Sequence, residues 1–147
     1  MSFSKAPFFT AEQQKQVVDA IAAAEKMTSG ELKVFIEENC PGDVIERALA
    51  VFDELEMNRT VLRNGVLFYL AHEDHKFAVI GDKGIHEKVP ANFWETTREY
   101  LRGHFIKGEF AEGFVGGILE AGEQLRKHFP NHGNKDNELP DEIVFGK

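Results

Sequence analysis

Cysteine is nearly missing from this sequence: Cys40 is the only one, so no internal disulfide can form and a reducing compartment is permitted. It reads as a small loop or edge residue. Long apolar runs are missing too. The longest, residues 65–71, falls far short of the roughly 20 residues that a membrane-spanning helix needs. Residues 1–10 show no basic stretch followed by an apolar one, as a secretory leader would, so a cytoplasmic location is expected. Positive charge is in deficit, with 17 Lys and Arg against 25 Asp and Glu. Phosphate backbones are bound by basic stripes, and here the cations are scattered among carboxylates, which argues against nucleic acid and favours cationic partners. No repeat, heptad seam or long apolar surface helix occurs, so a monomer is expected.

What is present suffices for one core. A chain of 147 residues with thirteen phenylalanines can bury most of its unfolded surface without metal or disulfides. We read residues 1–130 as one domain and 131–147 as a polar tail, partly ordered or flexible, in which 139–145 either lies on the domain or stays loose.

Thr10 with Gln13 forms a capping-box pattern, and Val17, Ala20, Ile21, Ala24 and Met27 follow at helical spacing, which predicts a helix over 11–27. Thr28-Ser29-Gly30 is read as its stop, with glycine supplying a left-handed end. Leu32, Val34 and Ile36 predict a strand over 31–37. Asp43 caps a second helix, residues 65–71 form a central strand covered on both faces, and 72–75 turn into a third strand containing Phe77, Val79 and Ile80. Pro90 is placed in the first turn of a third helix whose inner stripe is Phe93, Thr97, Tyr100, Leu101 and His104. A fourth helix spans 109–128, with Gly113, Gly116, Gly117 and Gly122 read as permitting close packing on the sheet.

Strand, helix, strand between 31 and 71 implies a right-handed crossover with parallel strands, and the third strand returns antiparallel. Residues 30–31, 63–64 and 81–84 then meet at one edge of the sheet. Two carboxylates, Glu31 and Asp82, converge there beside glycines that let an ion approach the backbone. Both are hard oxygen donors suited to Ca²⁺ or Mg²⁺, and the Asn64 side-chain oxygen or loop carbonyls complete a hydrated shell. The alternative is that they are solvated turn residues or surface partners of Arg63 and Lys83. The opposite edge carries a rival acidic cluster, Glu37, Glu38, Asn39, Asp43, Glu73 and Asp74, with Asp43 better explained as a cap.

At these residues the sequence resembles the TPM domain family, named for thylakoid lumen proteins of photosystem II repair and common in bacteria. The resemblance runs from Phe9 to Phe129. It rests on Thr28-Ser29-Gly30-Glu31, Asn64-Gly65-Val66-Leu67, Gly81-Asp82-Lys83-Gly84-Ile85, and Phe105-Ile106-Lys107-Gly108-Glu109-Phe110 with Gly113, taken in order. It implies a three-layer α/β/α sandwich with a mainly parallel sheet, helices on both faces, one antiparallel strand, and an acidic divalent-cation pocket. By position the pocket uses Glu31 and Asp82, with Glu109 where relatives often have Asp. Glu109 is equally read as a residue favourable to its helix dipole.

Some plant members are described as acid phosphatases, an activity with recognisable residue signatures. A cysteine phosphatase needs Arg six residues after its thiolate, and that position is Glu46; an aspartyl-phosphate enzyme needs D-x-D, which the chain lacks. His72-Glu73-Asp74-His75 has Lys76 where a zincin needs its second His. His86, His104, His128 and His132 have no triad or ligand spacing. Metal-assisted phosphomonoester hydrolysis at Glu31 and Asp82, with Arg63 or Lys83 neutralising phosphate, is the remaining enzymatic reading. The preferred expectation is a non-catalytic binding or assembly module whose cation orders loops 56–64 and 82–90 for a protein partner.

Overall fold

The computed structural model describes residues 7–131 and 141–146, so the stretch around His132 and Leu139 lies outside the described residues. The first helix, α1 (Ala11–Met27), has the predicted bounds and the full capping box between Thr10 and Gln13. It does not end on a left-handed glycine. Thr28 is extended, with φ −141° and ψ 158°, and pairs as an isolated bridge with Pro130, so a tertiary contact rather than glycine turns the chain.

Strand β1 (Glu31–Glu37) pairs in parallel with β2 (Gly65–Ala71), and β3 (Lys76–Gly81) returns antiparallel against β2. Between β1 and β2 lies α2 (Val44–Glu54), capped by Asp43, whose carboxylate accepts the Glu46 N–H at 3.0 Å. A short helix, α3 (Lys83–His86), follows β3; with four residues it is too short to leave a periodic signal. The helix expected from Pro90 starts five residues later, as α4 (Glu95–Ile106). Pro90 instead opens a turn in which its carbonyl accepts the Phe93 N–H at 3.1 Å, and Trp94 then packs over Gly81. The last helix is α5 (Phe110–Arg126).

Within the tail, β4 (Ile143–Phe145) adds to β1 in parallel and gives the order β3-β2-β1-β4. Alternation along the strands builds two cores. Leu32, Val34, Ile36, Val66, Phe68 and Leu70 face α1, α4 and α5, whereas Phe35, Leu67 and Tyr69 face Ala48, Val51 and Phe52 of α2. The result is the expected open α/β/α sandwich, mostly parallel with one antiparallel pair.

The α5 glycines do not pack on the sheet. A Cβ at Gly117 would stand 2.6 Å from Leu101 of α4, and one at Gly122 would stand 2.9 Å from the Ala24 Cβ of α1. They bring helix to helix, because α5 is sandwiched between its two neighbours in the same layer.

Candidate metal centre

Glu31 opens β1 with no exposed surface. Its position is fixed from two sides. The Ser29 N–H donates to the Phe129 carbonyl at 2.9 Å, and the Thr28 hydroxyl donates to the same oxygen, which ties the α1–β1 connection to the chain leaving α5. On the other side the Glu31 N–H donates to the Asn64 carbonyl, 3.4 Å away at the foot of β2.

Two more carboxylates reach this point. Glu25, buried near the end of α1, and Asp141, just before β4, join Glu31 so that one oxygen from each lies within 4.8 Å of the others. The Leu32 N–H orients Glu25 by donating to its Oε2 at 2.8 Å. Asn131 Nδ2 holds the same residue through its backbone carbonyl at 3.2 Å.

Two oxygens held by one Ca²⁺ at about 2.4 Å stand at most about 4.8 Å apart, so the spacing fits a shared hard cation; Mg²⁺, at about 2.1 Å, demands a tighter set or more water.

Asn64 adds an observation of its own. It is 1% exposed, its Nδ2 donates to Ser29 Oγ at 3.2 Å, and among the described residues its Oδ1 has no hydrogen-bond partner. A buried carbonyl oxygen left unsatisfied costs about 1–3 kcal/mol unless a water or an ion serves it. This hard donor sits beside Ser29 and next to the strand start that carries Glu31, so the donor set suits a cation of the Ca²⁺ or Mg²⁺ type.

Asp82 is placed differently. Its register position is across β2 from Glu31, since Glu31 pairs with Gly65 and Gly81 with Val66. Arg63 grips it with two hydrogen bonds, Nε to Oδ2 at 2.7 Å and Nη2 to Oδ1 at 3.0 Å, and the Lys83 N–H donates to Oδ1 at 2.8 Å. Asp82 therefore caps α3 and pairs with Arg63, the alternative role its neighbours suggested. The hydrogen bond to Asp82 holds the Arg63 guanidinium above its ordinary value, against burial, which acts the other way.

Glu109 lies at the far end of the molecule. Leu125, near the other end of α5, is the residue that approaches Gly30, and the 17-residue helix spans about 25 Å. The sequence there ends α4 instead. Gly108 takes φ +76°, the Gly108 and Glu109 N–H groups return to the Phe105 and His104 carbonyls, and Glu109 Oε1 meets His104 Nδ1 at 2.9 Å.

The glycine spaces beside the two predicted ligands are occupied by backbone. A Cβ at Gly84 would lie 2.1 Å from the Leu62 carbonyl and one at Gly30 3.2 Å from the Asn64 carbonyl, so these glycines admit neighbouring loops. At the opposite sheet edge Asp74 and Glu37 are likewise engaged. Asp74 accepts from the Cys40 N–H and Asn39 Nδ2, and Glu37 is bound by Arg47 and Tyr69. The Cys40 N–H and then Asn39 hold the Asp74 carboxyl below its usual range.

Glu25 and Asp141 escaped the sequence reading. Glu25 did leave a signal: it stands four residues after Ile21 on the buried stripe of α1, where an apolar residue belongs. Asp141 left none, because its position depends on β4 joining the sheet.

A model of the TPM domain matches residues 3–124. The chain is similar to the BA42 protein of the psychrophilic bacterium Bizionia argentinensis, solved by NMR, with 46% identity, 97% of this chain and 99% of that one covered, and a TM-score of 0.92. It also resembles in fold the N-terminal domain of the cg2496 protein of Corynebacterium glutamicum, at 9% identity with 98% and 93% covered and a TM-score of 0.64. No curated protein matches. The 122-residue match and the near-complete overlap with BA42 place this chain in the TPM domain family.

Proposed function

We propose that this chain is a non-catalytic binding module that takes a hard divalent cation, Ca²⁺ or Mg²⁺, at the amino end of β1. The meeting of Glu25, Glu31 and Asp141 within 4.8 Å carries the reading, and the unserved Asn64 Oδ1 supports it. Binding at Glu31 is felt beyond the carboxylates. Its N–H rests on Asn64, and Gly84 N–H donates to Arg63 at 2.9 Å, so loops 56–64 and 82–90 are linked to one point and present a surface to a protein partner. Hydrolysis of phosphomonoesters is less well supported, because Arg63, one of the two cations that would neutralise a phosphate, is already paired with Asp82.

An NMR amide titration with Ca²⁺ and then Mg²⁺ tests this. Saturable shifts are expected around residues 25, 31 and 64, reduced at least tenfold in affinity by Glu31→Gln and by Asp141→Asn, and retained in Asp82→Asn. Shifts that survive Glu31→Gln would remove the site. Phosphomonoester turnover above buffer, with the ion bound, would overturn the non-catalytic part.

A further inference from the structure

A groove of about 640 Å³ lies between α4 and the β2–β3 turn and shares no residue with the carboxylate cluster. Small-molecule sites have volumes of this order, about 300–1,000 Å³, with an apolar lining and a few polar groups that orient the ligand. One face of α4 makes its wall, since residues 95, 98, 99, 102, 105 and 106 recur at helical spacing and all line it. Aromatic rings make its floor. Phe105 is buried, Phe77 and Phe110 are half-buried, and the ring centroids stand 5.2 Å apart for Phe77 and Phe105 and 5.3 Å for Phe105 and Phe110. Beside these rings Ile106, on the same wall, is 75% exposed. The solvent face of α4 therefore carries an aliphatic side chain in water, continuous with an aromatic surface that the core leaves partly uncovered.

The order of charges along the wall sets the sign of the ligand. At 1.5 Å of rise per residue, Arg102 stands about 4.5 Å before Phe105 along the helix axis, Glu99 about 9 Å, Arg98 about 10.5 Å and Glu95 about 15 Å. The charge nearest the floor on this wall is thus positive, and both carboxylates lie farther from it. Arg98 and Arg102 are exposed, and among the described residues neither guanidinium takes part in an ion pair. His75 and Lys76 stand at the mouth, where the Lys76 ammonium donates to the Gly42 carbonyl at 3.3 Å and lies near Asp74. Lys76 is engaged, and the two arginines are the cations left to receive an anion.

We propose that this groove binds a small amphipathic anion, an apolar body carrying one carboxylate. The body lies on Phe77, Phe105, Phe110 and Ile106, and the carboxylate is held by the Arg102 guanidinium with Arg98 one turn behind it. A guanidinium presents two parallel N–H donors that match a carboxylate, which fixes the orientation of the head while the rings take up the body. A chain of net −8 repels anions and attracts cations at a distance, so a preference for the anion has to come from these local groups.

The test uses the full chain with octanoate and octylammonium, which have the same apolar body and opposite charge, each kept below self-association. Amide shifts at residues 76–77 and 102–110 are expected to saturate with octanoate, at an affinity about tenfold or more above that for octylammonium, as one charge-assisted hydrogen-bonded pair provides. Arg98→Gln/Arg102→Gln, on exposed positions that leave the core intact, is expected to abolish the preference. Equal affinity for the two amphiphiles, no saturable shift with octanoate, or a preference that survives the double substitution would overturn the proposal. So would shifts of the same amides on raising the protein concentration alone, together with a dimer in sedimentation, which would assign the groove to a second copy of the chain.

Discussion

Glu37 is 8% exposed at the end of β1, where Arg47 Nε and Nη2 donate to its two oxygens at 2.8 and 3.0 Å and the Tyr69 hydroxyl donates to Oε2. Burial is the largest influence on its carboxyl and pushes upward, but the hydrogen bonds from Arg47 and Tyr69 together outweigh it and leave the carboxyl below its ordinary 4.5. Burial, and then Glu37, drive the Tyr69 phenol far above its usual range, so it stays a proton donor. The sign follows from the direction of the Glu37 shift. A carboxyl depressed on folding contributes stability that is present above 4.5 and is lost as pH falls through its lower folded value. Removing the guanidinium with Arg47→Ala leaves a buried carboxylate unpaired and is expected to cost about 3 kcal/mol at pH 7. That loss should shrink below pH 4, which urea unfolding at pH 7 and pH 3.5 would show. Equal losses at both values would mean that Arg47 acts by packing, through its stacking 5.9 Å from the Phe35 ring centroid.

Between elements, α5 comes close to α1. Gly122 faces Ala24 with room for no Cβ, since one would meet the Ala24 Cβ at 2.9 Å and its Cα at 3.0 Å. Alanine is the better helix former by about 1 kcal/mol, yet Ala24 is rigid and the helices must part to admit a methyl. Gly122→Ala is therefore expected to lower stability by about 1–2 kcal/mol net, and a raised thermal midpoint would contradict the packing account. The elements were largely legible in the sequence because α1, β1, β2 and α5 each carry a long periodic or continuous apolar signal. The partners of those glycines were not legible, because a glycine shows that something comes close without showing what. The same limit hid the carboxylate cluster. Glu31 was read from its strand and turn, but the carboxylates beside it come from a helix end and a late strand, while Asp82 pairs with an arginine 19 residues away.

At the scale of the whole molecule, one edge of the sheet depends on residues beyond the family's matched span. Ile143, Val144 and Phe145 pair with Val34, Phe35 and Ile36, Glu142 reaches Lys33 Nζ at 3.1 Å, and Asp141 joins Glu25 and Glu31. Lys33 is 4% exposed, so its ammonium relies on that carboxylate. A chain ending at residue 131 keeps α1 to α5 and three strands, with most of both cores, and is expected to fold. It loses the strand on β1's outer edge, the partner of a buried amine and one carboxylate of the cluster. Leaving a buried polar group unserved costs about 1–3 kcal/mol, and with the lost apolar contacts a total near 3 kcal/mol lowers the midpoint by about 6–12 °C. The shortened chain should also respond to Ca²⁺ at least tenfold more weakly, in step with Asp141→Asn, while Asp141→Asn alone leaves the midpoint within about 2 °C without added ion. If truncation lowered stability but left the Ca²⁺ response intact, β4 would serve only to close the sheet and the cation site would have to be rebuilt from Glu25, Glu31 and Asn64.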